Sequence, residues 1–271
     1  MKKIIIAGVS SDIGTALANS WCKKNWEISG TYRTRSEAVT ELEKTLKTLV
    51  KCDFSNANEV NSASEILKES ISEWDILVMG PGLQDPVGFF SECNIDDWIE
   101  SVTVNFLNQV RFIHNLLGIR SFYKSNPPTV ILFAGGGTNN APTHYSAYIT
   151  SKIALMKFTE LMAVEIPDTK FVILGPGWVK TKIHYSTVQA KERAGSNYER
   201  TLDKFSDDDW VPMESVIACC NWLVEGDKEL LSGKNFSLVH DKWGTEELNA
   251  KLKNNPDLYK LRRNGNEILV K

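Results

Sequence analysis

Long apolar runs, metal-ligand spacings and a strong excess of one charge are all missing from this chain. No apolar run approaches the roughly 20 residues that a membrane-spanning helix needs, so we expect no membrane association. The five cysteines and four histidines show no metal-ligand spacing. We therefore expect no metal site, and reduced thiols in a cytoplasmic protein. The net charge of −3 gives no reason to expect a nucleic-acid partner.

The chain does have an ordinary globular composition and a regular alternation of patterns. Its 271 residues are 42% hydrophobic and 24% charged, enough for one sizeable α/β core. Short apolar runs predict strands at residues 3–7, 27–32, 46–52, 75–79, 129–133, 170–174 and 235–239. Helical patterns lie between them at residues 59–72, 95–117, 145–164 and 214–225. This alternation predicts an α/β fold with a doubly wound parallel sheet of about seven strands and helices on both faces.

The first predicted strand runs into a glycine-rich turn. Gly8 lets the chain turn sharply, and Gly14 lets the next helix, predicted from Thr15, pack close to the sheet. The N–H groups of the first helical turn would face a pyrophosphate, aided by the helix dipole. The residues expected to contact a dinucleotide here are Gly8, Ser10, Ser11, Ile13 and Gly14. The alternative is an ordinary turn between strand and helix that binds no ligand.

Tyr148 and Lys152 are spaced four residues apart at the start of a predicted helix. Residues at this spacing share one helical face. The Lys152 ammonium is therefore expected to lower the Tyr148 pKa below its usual value of about 10. Such a tyrosine can exchange a proton with a carbonyl or alcohol oxygen. This spacing occurs by chance in many helices, and it gains weight from the glycine-rich turn in the same chain.

Together, the turn and the Tyr148–Lys152 pair resemble the short-chain dehydrogenase/reductase family. The resemblance covers about residues 1–241 and implies one Rossmann-type NAD(P)-binding domain. It also implies an enzyme that moves hydride between a nicotinamide and a carbonyl carbon of a small molecule. Asp12 stands where the family has the middle glycine of its turn, and it adds negative charge near a phosphate.

The end of the second predicted strand bears on the choice of dinucleotide. An acidic residue there would hold the ribose of NAD, whereas a basic residue accommodates the 2′-phosphate of NADP. This chain has no carboxylate there and offers Tyr32 followed by Arg33 and Arg35. Guanidinium groups suit phosphate, so NADP(H) is favoured and NAD(H) remains possible. Alternatively, both arginines are solvated residues at the entry to a helix.

The resemblance assigns further cofactor contacts to the ends of later strands. They are Asp53, Phe54, Gly80, Pro81, Gly82, Pro176, Gly177, Val179 and Thr181, together with Tyr148 and Lys152. Asp53 would contact the adenine region with Phe54 beside the ring, although Asp53 could also cap the next helix. Asn105 is assigned to the catalytic set, where it would hold a water that relays protons to the lysine. The alternative for Asn105 is a polar residue that faces solvent.

The catalytic serine of the family is missing. Its position, thirteen residues before Tyr148, is occupied by Gly135. Three interpretations stay open. Thr138 could replace the serine, or the Tyr148–Lys152 pair could act with glycine N–H groups or water as donors. Alternatively, the protein could bind a nucleotide without turning a substrate over.

The residues expected to line a substrate pocket surround the pair. They are Gly135, Gly136, Tyr145, Trp178 and His184. Tyr145 lies seven residues before Lys152 and would fit the Tyr-x6-Lys pattern of relatives that reduce carbon–carbon double bonds, but we favour Tyr148. Residues 182–210 are predicted to form a lid whose basic side chains suit a polar or anionic substrate, such as a nucleotide-linked sugar. Alternatively, they form surface helices with solvated charges.

The sequence therefore predicts an NADP(H)-dependent oxidoreductase that acts on a small, polar carbonyl or alcohol compound. Two alternatives remain: a non-catalytic NADP-binding sensor or scaffold, and a nucleotide-sugar epimerase or dehydratase that recycles its cofactor. A homodimer or homotetramer is expected, since the last strand of the resembled family often joins a subunit interface. Residues 242–271 form an extension expected to pack on the same domain or on a neighbouring subunit.

Overall fold

The computed structural model describes residues 1–122, 127–137 and 139–263. In this part of the chain, seven strands form one parallel sheet in the order β3-β2-β1-β4-β5-β6-β7. The strands are β1 (Lys3–Ala7), β2 (Glu27–Tyr32), β3 (Thr48–Lys51), β4 (Ile76–Met79), β5 (Thr129–Phe133), β6 (Lys170–Gly175) and β7 (Lys234–Ser237). The predicted doubly wound α/β fold is thereby confirmed.

Helices cover both faces of the sheet. They are α1 (Asp12–Cys22), α2 (Glu37–Leu42), α3 (Ala57–Ser70), α4 (Ile95–Val102), α5 (Asn108–Leu116), α6 (Ser146–Glu165), α7 (Tyr185–Ala190), α8 (Ser196–Asp207), α9 (Met213–Glu225), α10 (Lys228–Leu231) and α11 (Glu246–Asn254). Apolar side chains of α1, α9 and α11 pack on one face, and those of α3, α5 and α6 pack on the other. The central strands are buried because both faces are covered. None of the described helices is both long and apolar enough to cross a bilayer.

The direction of the strand order reverses between β1 and β4, which are neighbours in the sheet. From β1 the chain builds one half of the sheet through β2 and β3, and from β4 it builds the other half through β5, β6 and β7. All neighbouring strands are parallel, so their carboxyl ends lie at one edge. Ligands of open α/β sheets bind at this edge, beside the point of reversal.

The first helix starts earlier than predicted. α1 begins at Asp12 rather than at Thr15, because Ser11 is its N-cap. The Ser11 side chain accepts a hydrogen bond from the Gly14 N–H, which satisfies one of the unpaired donors at the helix start. Gly14 therefore belongs to the first turn of the helix, not to the loop before it.

Other predicted boundaries also move. The single helix predicted at residues 95–117 is divided by a π-helical turn at Thr103–Leu107. The strands predicted at residues 46–52 and 235–239 are shorter in the structure, where they correspond to β3 and β7. Residues 182–210, which we call the lid after the prediction, contain α7 and α8, and their closure over a substrate stays a prediction.

The extension beyond β7 packs on the same domain wherever the structure describes it. Within residues 242–263, the ring of Trp243 lies 6.1 Å from that of Trp222 in α9. The Asn235 N–H of β7 donates to the Tyr259 carbonyl at 2.9 Å. The outer edge of the sheet is therefore covered by the chain itself, which removes an exposed strand edge. The rest of the predicted extension lies outside the described residues.

Candidate active site

The turn after β1 is so tight that two of its positions require glycine. Gly8 has a φ of +73°, in the left-handed region. A Cβ atom on Gly14 would lie only 2.3 Å from the Gly8 carbonyl oxygen. The Ser11 hydroxyl donates to that same carbonyl at 2.8 Å and accepts from the Gly14 N–H at 3.1 Å. The start of α1 is therefore held directly against the end of β1.

This turn leaves several backbone donors unpaired. Within the described residues, the N–H groups of Ser10, Asp12 and Ile13 donate to no protein acceptor. They lie at the N-terminus of α1, where the helix dipole is positive. Unpaired N–H groups at such a helix start suit phosphate oxygens. The turn therefore fits the pyrophosphate of a dinucleotide.

The Asp12 carboxylate is turned toward the segment that follows β6. One of its oxygens accepts a hydrogen bond from the Lys182 backbone N–H at 2.7 Å, and the other lies 3.7 Å from the Lys182 Nζ. The negative charge expected beside the phosphate is therefore paired with a cation. The same contact fastens α1 to the start of the lid, although the two residues are 170 positions apart.

Removing the Asp12 carboxylate is expected to loosen the lid. In Asp12→Ala the Lys182 N–H loses a charged acceptor, and a partly exposed contact of this kind contributes about 1 kcal/mol. We expect faster amide hydrogen exchange at residues 182–190, measured by mass spectrometry. Lys182→Ala is the matched control, since it keeps the backbone N–H and should exchange at nearly the wild-type rate. Unchanged exchange in Asp12→Ala would show that this contact does not fasten the lid.

The two arginines after β2 have different surroundings. Arg35 is paired with Glu43. Arg33 is exposed, and in the described part of the chain it makes no salt bridge. Tyr32, just before it, is half-buried and packs against the core. Of the two predicted phosphate ligands, Arg33 is therefore the one with its guanidinium available.

The two residues predicted to contact adenine after β3 have different surroundings, and the adenine contact of Asp53 stays a prediction. The Asp53 carboxylate accepts a hydrogen bond from the Ser55 N–H at 2.9 Å. The alternative role of Asp53 as a helix cap is wrong, because Asn56 caps α3. The expectation that Phe54 flanks an adenine ring is also wrong. Its side chain is buried in the core, where its ring lies 5.5 Å from that of Phe112.

The turn after β4 is held from the π-helical turn. The Leu83 N–H donates to Asn105 Oδ1 at 2.8 Å, and Asn105 Nδ2 donates to the Leu83 carbonyl at 2.6 Å. Gln109 Nε2 donates to the Pro81 carbonyl at 3.0 Å, and both amide side chains are fully buried. Asn105 therefore does not face solvent, because its side chain is buried and holds the Leu83 backbone. Its part in a proton relay stays a prediction.

Gln109 is a positioning residue that the sequence analysis missed. It is buried although it lies within an amphipathic helix. Its signal in the sequence is its spacing, since it lies four residues after Asn105 and therefore on the same helical face. Buried amide side chains need hydrogen-bond partners, and Asn105 and Gln109 both find theirs in the backbone of the turn after β4.

Lys152 is tied to the end of β5. Its side chain is buried, and its Nζ donates to the Phe133 carbonyl at 3.0 Å. The Nζ lies 5.6 Å from the centroid of the Tyr148 ring. The two side chains therefore adjoin at the carboxyl edge of the sheet, with the ammonium held by a backbone oxygen.

The expected lowering of the Tyr148 pKa is wrong for this state of the protein. Burial raises the pKa of Tyr148 to about 12 and lowers that of Lys152 to about 8. The physical reason is desolvation, which disfavours the charged form of both groups. The Tyr148 phenol therefore keeps its proton at neutral pH.

Tyr148 lies directly over Gly135. A Cβ atom on Gly135 would come within 2.5 Å of Tyr148 Cε1 and 2.7 Å of its hydroxyl oxygen. A Cβ atom on the next residue, Gly136, would meet nothing within 4 Å. Thr138, the predicted replacement for the serine, lies outside the described residues.

Tyr145 contacts the lid. Its hydroxyl is 2.8 Å from Thr187 Oγ1, which in turn donates to Gln84 Oε1 at 3.0 Å. His144, a residue without a predicted role, packs against Phe89 with ring centroids 4.3 Å apart and the rings tilted by 46°. These contacts join α7 to the loop after β4 and to the start of α6. Tyr145 therefore contacts the lid, and its place in a substrate pocket stays a prediction.

The segment after β6 turns from the sheet into the lid. Gly177 has a φ of +76°, which favours glycine. Its carbonyl accepts from the Val179 N–H at 3.1 Å, and the Val179 side chain is buried. Pro176 and Thr181 are half-buried on either side. These four predicted cofactor contacts therefore share the carboxyl edge of the sheet with the glycine-rich turn.

An aromatic cluster joins this segment to the lid. The rings of Trp178 and His184 stack at 5.1 Å, and His184 Nε2 lies 2.9 Å from the Val179 carbonyl. Burial lowers the pKa of His184, so it is neutral at neutral pH. The Arg200 guanidinium lies 5.2 Å from the centroid of the Trp178 ring. The predicted pair of substrate residues is therefore packed together, with one cation over the Trp178 ring.

The chain is similar to known proteins over most of its length. A family model described as short chain dehydrogenase matches residues 2–192. An NADP-dependent 3-hydroxy acid dehydrogenase of Schizosaccharomyces pombe is 25% identical, over 77% of this chain and 83% of its own. The 11-beta-hydroxysteroid dehydrogenase-like 2 of Arabidopsis thaliana is 28% identical, over 83% and 70%. A crystal structure of a short chain dehydrogenase/reductase from Saccharomyces cerevisiae superposes with a TM-score of 0.77 at 19% identity, over 92% and 98%, and this likeness shows the fold.

Proposed function

The chain belongs to the short-chain dehydrogenase family. We propose that it transfers hydride between NADP(H) and a carbonyl or alcohol carbon of a small, polar molecule. One observation carries the proposal. Tyr148 and Lys152 adjoin at the carboxyl end of β5, at the same sheet edge as a glycine-rich turn with unpaired N–H groups. A proton donor and a phosphate site at one edge are what nicotinamide-dependent carbonyl reduction requires.

The dinucleotide, when bound, supplies hydride to the carbonyl carbon. Tyr148 supplies the proton: its O–H bond breaks as the proton passes to the carbonyl oxygen, and a phenolate remains. Because burial raises the Tyr148 pKa to about 12, the phenol is protonated at neutral pH and can act as the proton donor in carbonyl reduction. With a pKa of about 8, Lys152 is largely charged at neutral pH, and its ammonium beside the ring stabilises the phenolate.

The choice of NADP(H) rests on Arg33. Its guanidinium is exposed at the end of β2, whereas that of Arg35 is paired with Glu43. The name of the Schizosaccharomyces pombe relative, which specifies NADP, supports the same choice. Arg33 would hold the 2′-phosphate, and the unpaired N–H groups of the glycine-rich turn would hold the pyrophosphate.

Replacing Arg33 with Ala is expected to weaken NADPH binding about tenfold and to leave NADH binding unchanged. A hydrogen bond to a charged group contributes about 1.5–3 kcal/mol, and about 1.4 kcal/mol corresponds to a factor of ten. Calorimetric titration with both dinucleotides measures the change. Arg35→Ala is the control, because its guanidinium is already paired, and we expect a smaller effect. Equal losses of NADPH and NADH affinity would remove the assignment of Arg33 to the 2′-phosphate.

The proposed reaction is tested with a panel of carbonyl compounds, followed by the loss of NADPH absorbance. Small 3-oxo acids come first in the panel, since the NADP-dependent relative is named for a 3-hydroxy acid. Simple keto sugars and nucleotide-linked sugars follow. We expect turnover with a small, polar carbonyl compound. NADPH binding without turnover across the panel would instead support a sensor or scaffold.

The sensor is the second candidate because one contact favours it. Lys152 donates to the Phe133 carbonyl rather than to the Tyr148 hydroxyl, so the pair is not joined by a hydrogen bond. A protein that only binds NADPH would need no such bond. Tyr148→Phe separates the two candidates. In an oxidoreductase it should lower turnover and leave nucleotide binding in place, whereas a sensor has no turnover for it to lower. A nucleotide-sugar epimerase would reveal itself by isotope exchange into the sugar without net loss of NADPH.

A further inference from the structure

We propose that Gly135 is a positioning residue: because it has no side chain, it leaves the space in which the Tyr148 phenol lies. The phenol occupies the volume that any side chain at position 135 would need. The packing of the Tyr148 ring on Gly135 does not depend on the proposed function. Only its effect on turnover rests on the proposed function.

The contact is specific to one glycine of the loop after β5. The three heavy atoms closest to a Cβ on Gly135 all belong to the Tyr148 phenol, at 2.5, 2.7 and 2.8 Å. Distances below 3.0 Å are not compatible with a real Cβ atom. A Cβ on Gly136 would stand in open space, and Gly137 serves a turn, with a φ of +91°. Gly135 is therefore the glycine of this loop that the tyrosine requires.

The backbones on both sides of this contact are held in place. On the strand side, the Ala134 N–H donates to the Leu174 carbonyl of β6 at 2.9 Å. On the helix side, the Ser151 hydroxyl donates to the Tyr148 carbonyl at 2.6 Å. Lys152 joins the two elements through its bond to the Phe133 carbonyl at 3.0 Å. A side chain at position 135 must therefore displace the phenol, because that is the part free to rotate.

The consequence concerns reactivity. A serine at position 135 would add a hydroxyl to the site, but its Cβ atom would also displace the Tyr148 phenol. We expect Gly135→Ser and Gly135→Ala to lower the rate to a similar extent, since both add a Cβ atom that clashes with the Tyr148 phenol. A misplacement of about 1 Å in a reacting group can lower a rate about 10²-fold. We expect a loss of about that size in kcat, with KM and NADPH affinity little changed.

The proposal is tested by fluorine NMR, which reports the environment of the Tyr148 ring. The protein is labelled with 3-fluorotyrosine, and the Tyr148 signal among its seven tyrosines is assigned by its loss in Tyr148→Phe. We expect this signal to move in Gly135→Ala and to stay in place in Gly136→Ala, the matched control. An unmoved Tyr148 signal in Gly135→Ala would overturn the proposal.

A second measurement covers the case in which Gly135→Ala is poorly folded. In a double-mutant cycle of thermal stability, Gly135→Ala should lower the melting temperature with Tyr148 present and much less in a Tyr148→Ala background. An equal loss in both backgrounds would show that Tyr148 is not the residue displaced. The outcomes also separate the two proposals. A moved Tyr148 signal in a protein without turnover would support the positioning role of Gly135 and contradict the proposed oxidoreductase function.

Discussion

Tyr148→Phe is expected to lower kcat for carbonyl reduction about 10²–10⁴-fold, the usual contribution of a general acid, while NADPH binds as before. The substitution removes the hydroxyl that gives up the proton and keeps the ring that lies on Gly135. The packing around Lys152 should therefore survive, and its Nζ keeps the Phe133 carbonyl as its acceptor. The measurement is a pair of titrations, one of NADPH binding and one of initial rate against the carbonyl substrate.

Tyr145→Phe is the matched control for this prediction. It removes a phenolic oxygen at the neighbouring tyrosine, which contacts Thr187 of the lid at 2.8 Å. We expect a change mainly in KM, because the lid is loosened while the proton donor remains. A larger loss of kcat in Tyr145→Phe than in Tyr148→Phe would assign the proton donor to Tyr145 and contradict the account.

Gly14→Ala is expected to weaken NADPH binding about 10- to 100-fold. Its Cβ atom would lie 2.3 Å from the Gly8 carbonyl oxygen and 2.8 Å from Ser11 Oγ. The nearest of these atoms is backbone, so the whole turn must shift away from the start of α1. Overpacking of this kind costs about 1–3 kcal/mol, and about 1.4 kcal/mol is a factor of ten in affinity. Calorimetric titration with NADPH measures the loss.

The control for Gly14→Ala is a glycine with room around it. A Cβ atom on Gly118 would meet nothing within 4 Å, so Gly118→Ala should bind NADPH normally. The melting temperatures of both variants show whether a loss of binding follows from unfolding. If folded Gly14→Ala bound NADPH as tightly as the wild type, the turn after β1 would not be the pyrophosphate site.

Local patterns were enough to predict the fold and the places where its motifs lie. The alternation of apolar runs predicted a doubly wound sheet, and the ends of β1, β4, β5 and β6 carry the glycines that the sequence marked. Glycine-rich turns and strands are signals within a few residues of chain. The same local reasoning misplaced the start of α1, because Ser11 was assigned to the turn and not recognised as a cap.

Contacts between distant residues could not be predicted in this way. Asp12 was expected beside a phosphate, and its partner is Lys182, 170 positions later. Lys152 was expected to act on Tyr148, and its bond goes to the Phe133 carbonyl of a neighbouring strand. Side chains choose among acceptors that only the assembled fold brings within reach. The pKa of a buried group depends on that choice and on desolvation, which spacing along a helix does not report.

The most direct test of the central claim is a titration of the purified protein with NADPH and, separately, with NADH, followed by the quenching of its eight tryptophans. We predict tight binding of NADPH and binding of NADH at least about tenfold weaker, as one charge-assisted contact at the 2′-phosphate would give. Binding of neither dinucleotide would contradict the account. It would show that the turn after β1, with Asp12 in it, holds no cofactor.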